Sequence, residues 1–176
     1  MAIEYVDDPK YFEYLDGQVH PKVSPRRKHG MVQAAFSRVL HRLGHSFGDV
    51  ASEWRMRLRQ GAKRTEFQPD VSFMSFERLR ALDEAHRELT PVAPDIAVEI
   101  RSPGDDLRDL EQKIELYFAY GSGLVFDVSI DQRCVLVYAR NGTVERFDAT
   151  AHFSHDAVPW LSFDVAELFE GLDIAP

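Results

Sequence analysis

The sequence predicts an α/β fold: a mixed β-sheet flanked by helices, with an N-terminal β-hairpin and a long first helix. Three observations carry that expectation. Met31, Val32, Ala35, Phe36, Val39, Leu40 and Leu43 form one stripe at helical period. From Glu53 the period changes to two, with Trp54, Met56 and Leu58 alternating with Arg55, Arg57 and Arg59, the mark of a strand with one buried face. Asp95 to Arg101 is a run of the continuous apolar type expected of a strand covered on both faces, and a second helical stripe follows it.

Taken in order, Tyr11 to His20 reads as a hairpin turning on Asp16-Gly17, a pair suited to the positive φ angles of a tight turn. Ser24-Pro25 offers an N-cap followed by proline at the first helical position, and Gly44 and Gly48 mark the end of the helix it opens. Gly61 to Thr65 predicts a turn, and Phe67 to Ser75 the next strand. Phe76 to Glu88 reads as a short surface helix, ended by Thr90-Pro91 and Pro94. Ser102-Pro103-Gly104-Asp105 turns into a helix with Leu107, Leu110, Ile114, Tyr117 and Phe118 on one side, closed at Gly121. Leu124–Val128 and Cys134–Ala139 read as strands joined at Asp131-Gln132, and Asn141-Gly142 turns into Thr143–Phe147. The tail ends in a short helix capped by Asp164. No repeat, low-complexity tract or linker interrupts the chain, so residues 1–176 are expected to form one domain.

With 176 residues, 44% of them hydrophobic, the chain has material for one sizeable core. No apolar run approaches the ~20 residues of a membrane span, and the N-terminal Met-Ala-Ile-Glu-Tyr-Val-Asp-Asp lacks the basic and apolar regions of a secretory signal. The single cysteine, Cys134, lies in an apolar run and is expected in the core of a cytoplasmic protein. The net charge of −8 argues against nucleic acid as a partner, yet its distribution is uneven. Residues 20–65 carry a net +9 and residues 66–176 a net −13. Such a basic segment is either a footprint for a phosphate backbone or a partner for the acidic half. Within it Arg55, Arg57 and Arg59 share one strand face at intervals of roughly 6.5–7 Å. They face carboxylates of a neighbouring strand, or water, or nucleic acid. His41 and His45 have a zinc-compatible spacing but no third ligand, and read as solvated.

The residues with the clearest chemical content lie between Pro69 and Lys113. Asp70 follows a proline and opens a strand. Glu99 stands inside an apolar run, where an acid costs several kcal/mol unless paired or metal-bound. Carboxylates and a backbone carbonyl suit Mg²⁺. The structural alternative is a buried pair between Glu99 and Arg101, two residues on and on the same strand face. Lys113 borders the apolar face of the following helix, from which it can reach the sheet and stabilise developing negative charge. Its alternative is a snorkelling lysine paired with Asp109, Glu111 or Glu115.

Pro69-Asp70 followed by Glu99-Ile100-Arg101 resembles the PD-(D/E)XK nuclease superfamily. More narrowly, the chain is similar to the Uma-type (Uma-two) restriction endonucleases within it. The motifs carrying the resemblance are Tyr14-Leu-Asp-Gly17, His29 entering a long helix, Pro69-Asp-Val-Ser-Phe73, Val98-Glu-Ile-Arg-Ser-Pro103, Lys113-Ile-Glu-Leu-Tyr117 with Gly121, Leu124-Val-Phe-Asp127 and Leu168-Phe169. The resemblance implies a restriction-endonuclease-like core over the whole chain and Mg²⁺- or Mn²⁺-dependent hydrolysis of DNA phosphodiester bonds, with a homodimer as a further expectation. It implies metal binding by Asp70, Glu99 and the Ile100 carbonyl, with Glu13 and His29 as accessory members. Arg101 occupies the position where the superfamily usually has its lysine, and an arginine cannot act as a base. Lys113 is the displaced lysine, and the division of labour between the two cations stays open. The competing expectation is a catalytically silent module of the same fold that binds nucleic acid or a protein partner.

Overall fold

Two β-sheets and the helices around them make up the computed structural model, which describes residues 12–15, 17–21, 26–60, 63–102 and 107–173. In the N-terminal hairpin, β1 (Phe12–Leu15) pairs antiparallel with β2 (Gln18–Pro21), and Gly17 takes the positive φ of 81° that the two-residue turn demands. The helix α1 (Arg27–Gly44) buries Val32, Ala35, Phe36, Val39 and Leu40, the stripe its periodicity predicts. The expected Ser24-Pro25 start lies outside the described residues.

Beyond α1 the chain departs from expectation. Gly48–Ser52 carries no strand signal in its composition, yet it forms β3, held in place by pairing with β6 (Val71–Ser75). Glycine is required there, because a Cβ on Gly48 would stand 2.2 Å from the Met74 carbonyl oxygen. The period-two strand is β4 (Met56–Gln60), with Met56 and Leu58 buried. The stretch predicted as one strand, Phe67–Ser75, is the end of one and the whole of another. β5 (Lys63–Phe67) stops where Gln68-Pro69-Asp70 crosses to the other sheet, and β6 starts there. Pro69 has no N–H for a ladder, so the break falls at this point. Lys63 to Thr65, expected in a turn, belong instead to β5, and Gly61 and Ala62 lie outside the described residues. The expected surface helix is also divided, into α2 (Phe76–Arg80) and α3 (Glu84–Glu88), the second capped by the Asp83 side chain.

Four further strands complete the larger sheet: β7 (Ile96–Arg101), β8 (Leu124–Ser129), β9 (Cys134–Ala139) and β10 (Val144–Asp148). Its order is β10-β9-β8-β7-β6-β3. β7 and β8 run parallel, joined through α4 (Leu107–Ala119), and the other described neighbours are antiparallel. The smaller sheet has the order β2-β1-β5-β4. A ribbon of β11 (His152–Phe153) and β12 (Phe163–Asp164) and a 3₁₀ turn at Val165–Leu168 close the chain, with Asp164 at the turn's N-cap as expected.

Each face of the larger sheet has its own core. On one face, α1 and the C-terminal ribbon cover Val98, Ile100, Phe126 and Val137 with Phe36, Phe153 and Phe163. On the other, α4 and the smaller sheet cover Ala97 and Val125 with Met56, Leu58, Phe67, Ile114 and Tyr117. The period of two along β7 therefore places Glu99 and Arg101 on the α4 side. Cys134 is buried, and no described helix is long and apolar enough to cross a membrane.

Gly48→Ala is expected to lower stability by about 1–3 kcal/mol through overpacking against β6. Gly30→Ala, in α1 with open space around its Cβ, should instead raise it by roughly 0.5–1 kcal/mol. Urea midpoints at constant m-value measure both.

Candidate active site

Where β6 and β7 part, the sheet forks. The two strands pair over Val71–Phe73 and Ile96–Val98, whereas β8 follows β7 as far as Arg101. Asp70 lies in the crossing segment, outside the ladder, and its side chain takes the place of a strand partner: the Ile100 N–H donates to Asp70 Oδ2 at 2.7 Å. His29 Nε2, from the first turn of α1, is 3.3 Å from the same oxygen. Gln33, four residues further along α1, donates to the Asp70 carbonyl at 2.9 Å. Asp70 is thus held through its side chain and its backbone at once.

Glu99 projects from β7 toward α4. The Tyr117 hydroxyl donates to Glu99 Oε1 at 2.5 Å, and Lys113 Nζ stands 3.4 Å from Oε2. The nearer partner of Lys113 is Glu13 Oε2 on β1, at 2.8 Å. The other Glu13 oxygen accepts the Gln68 N–H at 3.1 Å, from the same crossing segment that carries Asp70. Glu13, Asp70 and Glu99 are all buried, with exposures of 6%, 4% and 8%.

Crowding three buried acids around one lysine has electrostatic consequences. Burial pushes the Glu99 carboxyl up to about 7, opposed by Lys113, and the Asp70 and Glu13 charges push it further upward. Burial alone would lower the Lys113 amine, but Glu99 and Glu13 outweigh it and hold it well above its ordinary value. Lys113 is therefore a cation at any physiological pH. The Tyr117 phenol, buried beside Glu99, is also raised well above its usual value and stays a donor.

Glu13, His29, Asp70, Glu99 and Lys113 consequently meet in one place, with the Ile100 backbone bonded to Asp70. Arg101 does not join them. Its Nε donates to Asp127 Oδ1 at 2.6 Å, on the parallel neighbour β8, and Asp127 is buried there. Burial raises the Asp127 carboxyl and Arg101 opposes that rise. The Glu99–Arg101 pair considered from sequence is thus replaced by Glu99–Lys113 and Arg101–Asp127. Lys113 does not pair with its helix neighbours either, and Asp109 takes His20 Nδ1 at 2.9 Å. The arginine row meets a neighbouring strand: Arg57 Nε pairs with Glu66 of β5, and Arg55 lies 3.5 Å from the same carboxylate. The Arg59 side chain lies outside the described residues. His41 and His45 are exposed.

Tyr117, Gln33 and Asp127 are absent from the sequence expectation of the site. Tyr117 sits four residues after Lys113, and Gln33 four after His29, so helical spacing carries a signal for both. Asp127 stands opposite Glu99 only through the parallel register, which no local pattern reveals.

The donor set fits a hard divalent cation. Buried acids outnumber the cations beside them, and Asp70 and Glu99 offer carboxylate oxygens on either side of Ile100. Among the described residues no three His, Cys, Asp or Glu side chains form a metal cage. Two carboxylates are a small protein contribution of the kind Mg²⁺ takes, an ion that keeps several waters.

In the unfolded chain Glu99 titrates near 4.5, and in the fold near 7. Without divalent ions the native state therefore binds the extra proton, and stability falls as pH rises through that window. Glu99→Gln should stabilise the chelated protein at pH about 8 by on the order of 1–3 kcal/mol and flatten its stability between pH about 5 and 8. Urea titrations in EDTA would test this. An unchanged pH dependence in the variant would exclude Glu99 as the titrating group.

Sequence and fold comparisons bear on the family and on the fold. The Uma2 family, described as "Putative restriction endonuclease", matches residues 2–166. A solved structure described as "a putative nuclease belonging to DUF820", from Anabaena variabilis ATCC 29413, has a TM-score of 0.77 at 22% identity, covering 90% of this chain and 89% of that one. At that identity the likeness concerns the fold. No curated protein matches the sequence. A family match running from the N-terminal hairpin through both core strands and α4 establishes that the chain belongs to the Uma2 family.

Proposed function

We propose that the chain is a Mg²⁺-dependent endonuclease, also served by Mn²⁺, that hydrolyses phosphodiester bonds of DNA. The observation that carries this reading is the buried lysine, Lys113, held between Glu13 and Glu99 beside the fork at Asp70. Asp70, Glu99 and the Ile100 carbonyl would hold the ion. When bound, such an ion polarises a phosphoryl oxygen and lowers the pKa of an attacking water.

The chain's own residues supply position and charge. His29 and the Ile100 N–H hold the Asp70 carboxylate, and the Tyr117 hydroxyl holds that of Glu99. Because Lys113 stays protonated between two carboxylates, its part is to stabilise negative charge developing on the phosphate and to orient the water. It does not take a proton. Arg101, drawn onto Asp127, is a supporting residue in this reading, and Lys113 is the working cation.

Purified protein should nick supercoiled plasmid DNA with Mg²⁺ or Mn²⁺ and not in EDTA. Asp70→Ala and Lys113→Ala should each slow cleavage by on the order of 100-fold or more. Arg101→Ala should slow it less than about tenfold while destabilising the fold by about 1–3 kcal/mol, since Asp127 loses its partner. Cleavage surviving both of the first two changes would reject the reading. DNA binding that is salt-sensitive, indifferent to chelators and unaccompanied by cleavage would identify a catalytically silent module instead.

A further inference from the structure

A groove of about 480 Å³ is bounded by the edge strand β3, by Trp54 and by α2 and α3. Asp49, Trp54, Phe76, Arg80, Arg87 and Glu88 line it, and none of them belongs to the site around Lys113. Its surface is well organised. The Trp54 indole N–H donates to the Glu88 carbonyl at 3.1 Å, which fixes the ring as a wall. The Arg80 guanidinium stands 5.7 Å from the centre of the Phe76 ring. Arg87 Nε donates to the Leu79 carbonyl at 3.0 Å, tying α3 to α2.

Several arginines near the two sheets are matched to acids: Arg55 and Arg57 to Glu66, Arg78 to Asp95, Arg101 to Asp127. Arg80 and Arg87 differ. Among the described residues neither has a carboxylate partner, and both are exposed. Two guanidiniums beside two aromatic rings form a surface suited to phosphates and stacked bases. One backbone contact links the border of the groove to the candidate active site. The N–H of Glu53, the residue before Trp54, donates to the Asp70 carbonyl at 3.3 Å. A positive φ of 51° at Glu53 turns the chain from β3 toward Trp54 at that contact.

We infer that this groove binds a single strand of DNA leading away from the Asp70–Glu99 site, with a base stacked on Trp54 and phosphates on Arg80 and Arg87. The direction of the strand rests on the nuclease reading; the groove's chemistry does not. Asp49 and Glu88 add selectivity, because carboxylates accept hydrogen bonds from exocyclic amino groups. Cytosine has such a group and thymine has none. With two acids offsetting two arginines, attraction comes from local placement, and the salt dependence reflects about two phosphates.

The chain has two tryptophans, and Trp160 packs on Phe73 at 4.7 Å, so Trp160→Phe leaves Trp54 as the sole indole reporter. In that background a twelve-nucleotide oligodeoxycytidine should quench the fluorescence, and oligothymidine of the same length should bind more weakly. Adding Arg80→Ala and Arg87→Ala should weaken binding by about tenfold or more and reduce the log–log salt slope by about one to two. In cleavage of single-stranded circular DNA the same arginine pair should raise KM about tenfold and leave kcat within about twofold. Unchanged melting temperatures of the variants establish that the fold is intact. If cleavage occurs but the arginine changes alter neither KM nor quenching, the groove inference falls and the nuclease reading stands. If quenching depends on both arginines but no DNA is cut, the groove stands and the nuclease reading falls. If the protein neither cuts nor shows quenching, both fall.

Discussion

Lys113 joins three layers of the structure at one point. Its amine meets Glu13 from the smaller sheet and Glu99 from the larger, and its own backbone belongs to α4, which packs on the larger sheet beside the smaller one. Burying one charge in this position would be costly, and burying three is tolerated only because they satisfy one another. The surrounding geometry follows from that demand. Tyr117 must turn its hydroxyl inward to Glu99, and the crossing segment must present its Gln68 N–H to Glu13. The cluster still keeps more acid than base, which is a reason for it to accept a cation and a poor reason for stability.

The fork between β6 and β7 is the second constraint. A sheet that continued regularly past Val98 would pair Asp70 with Glu99 through the backbone and send their side chains where the pleat dictates. Pro69 interrupts the ladder, the Asp70 carboxylate replaces the missing strand partner of Ile100, and the two acids come to share one space. One proline thus converts a strand end into a site.

Charge distribution takes on a different meaning in three dimensions. The basic segment at residues 20–65 is partly matched by acids from elsewhere: Arg42 to Glu167 at 2.8 Å, Arg55 and Arg57 to Glu66, Lys28 to Asp173 at 3.9 Å. The internal-pairing interpretation therefore accounts for much of it, and Arg55 and Arg57 share a buried carboxylate. Among the described residues, Arg80 on α2 and Arg87 on α3 have no carboxylate partner, nor do Arg38 on α1 and Arg140 after β9, and the sequence of α2 and α3 reads as ordinary surface helix.

Sequence by itself determined the elements whose signals are local. The stripe of α1, the turn at Gly17, the apolar β7 and the helix carrying Lys113 follow from periodicity and turn chemistry, and the motif order indicates the family. The resemblance also singled out Glu13, His29, Asp70, Glu99 and Lys113, residues up to 100 positions apart that the fold brings together. What only the tertiary structure decided was partnership. β3 exists because β6 is beside it, since Gly-Asp-Val-Ala-Ser has little strand preference of its own. The choice between Arg101 and Lys113 likewise depended on what stands across from Glu99. In the parallel register Asp127 lies there and captures Arg101, leaving Glu99 to the lysine from α4. Pairing of buried charges is a long-range property, set by register and layer packing, and spacing along one strand cannot reveal it.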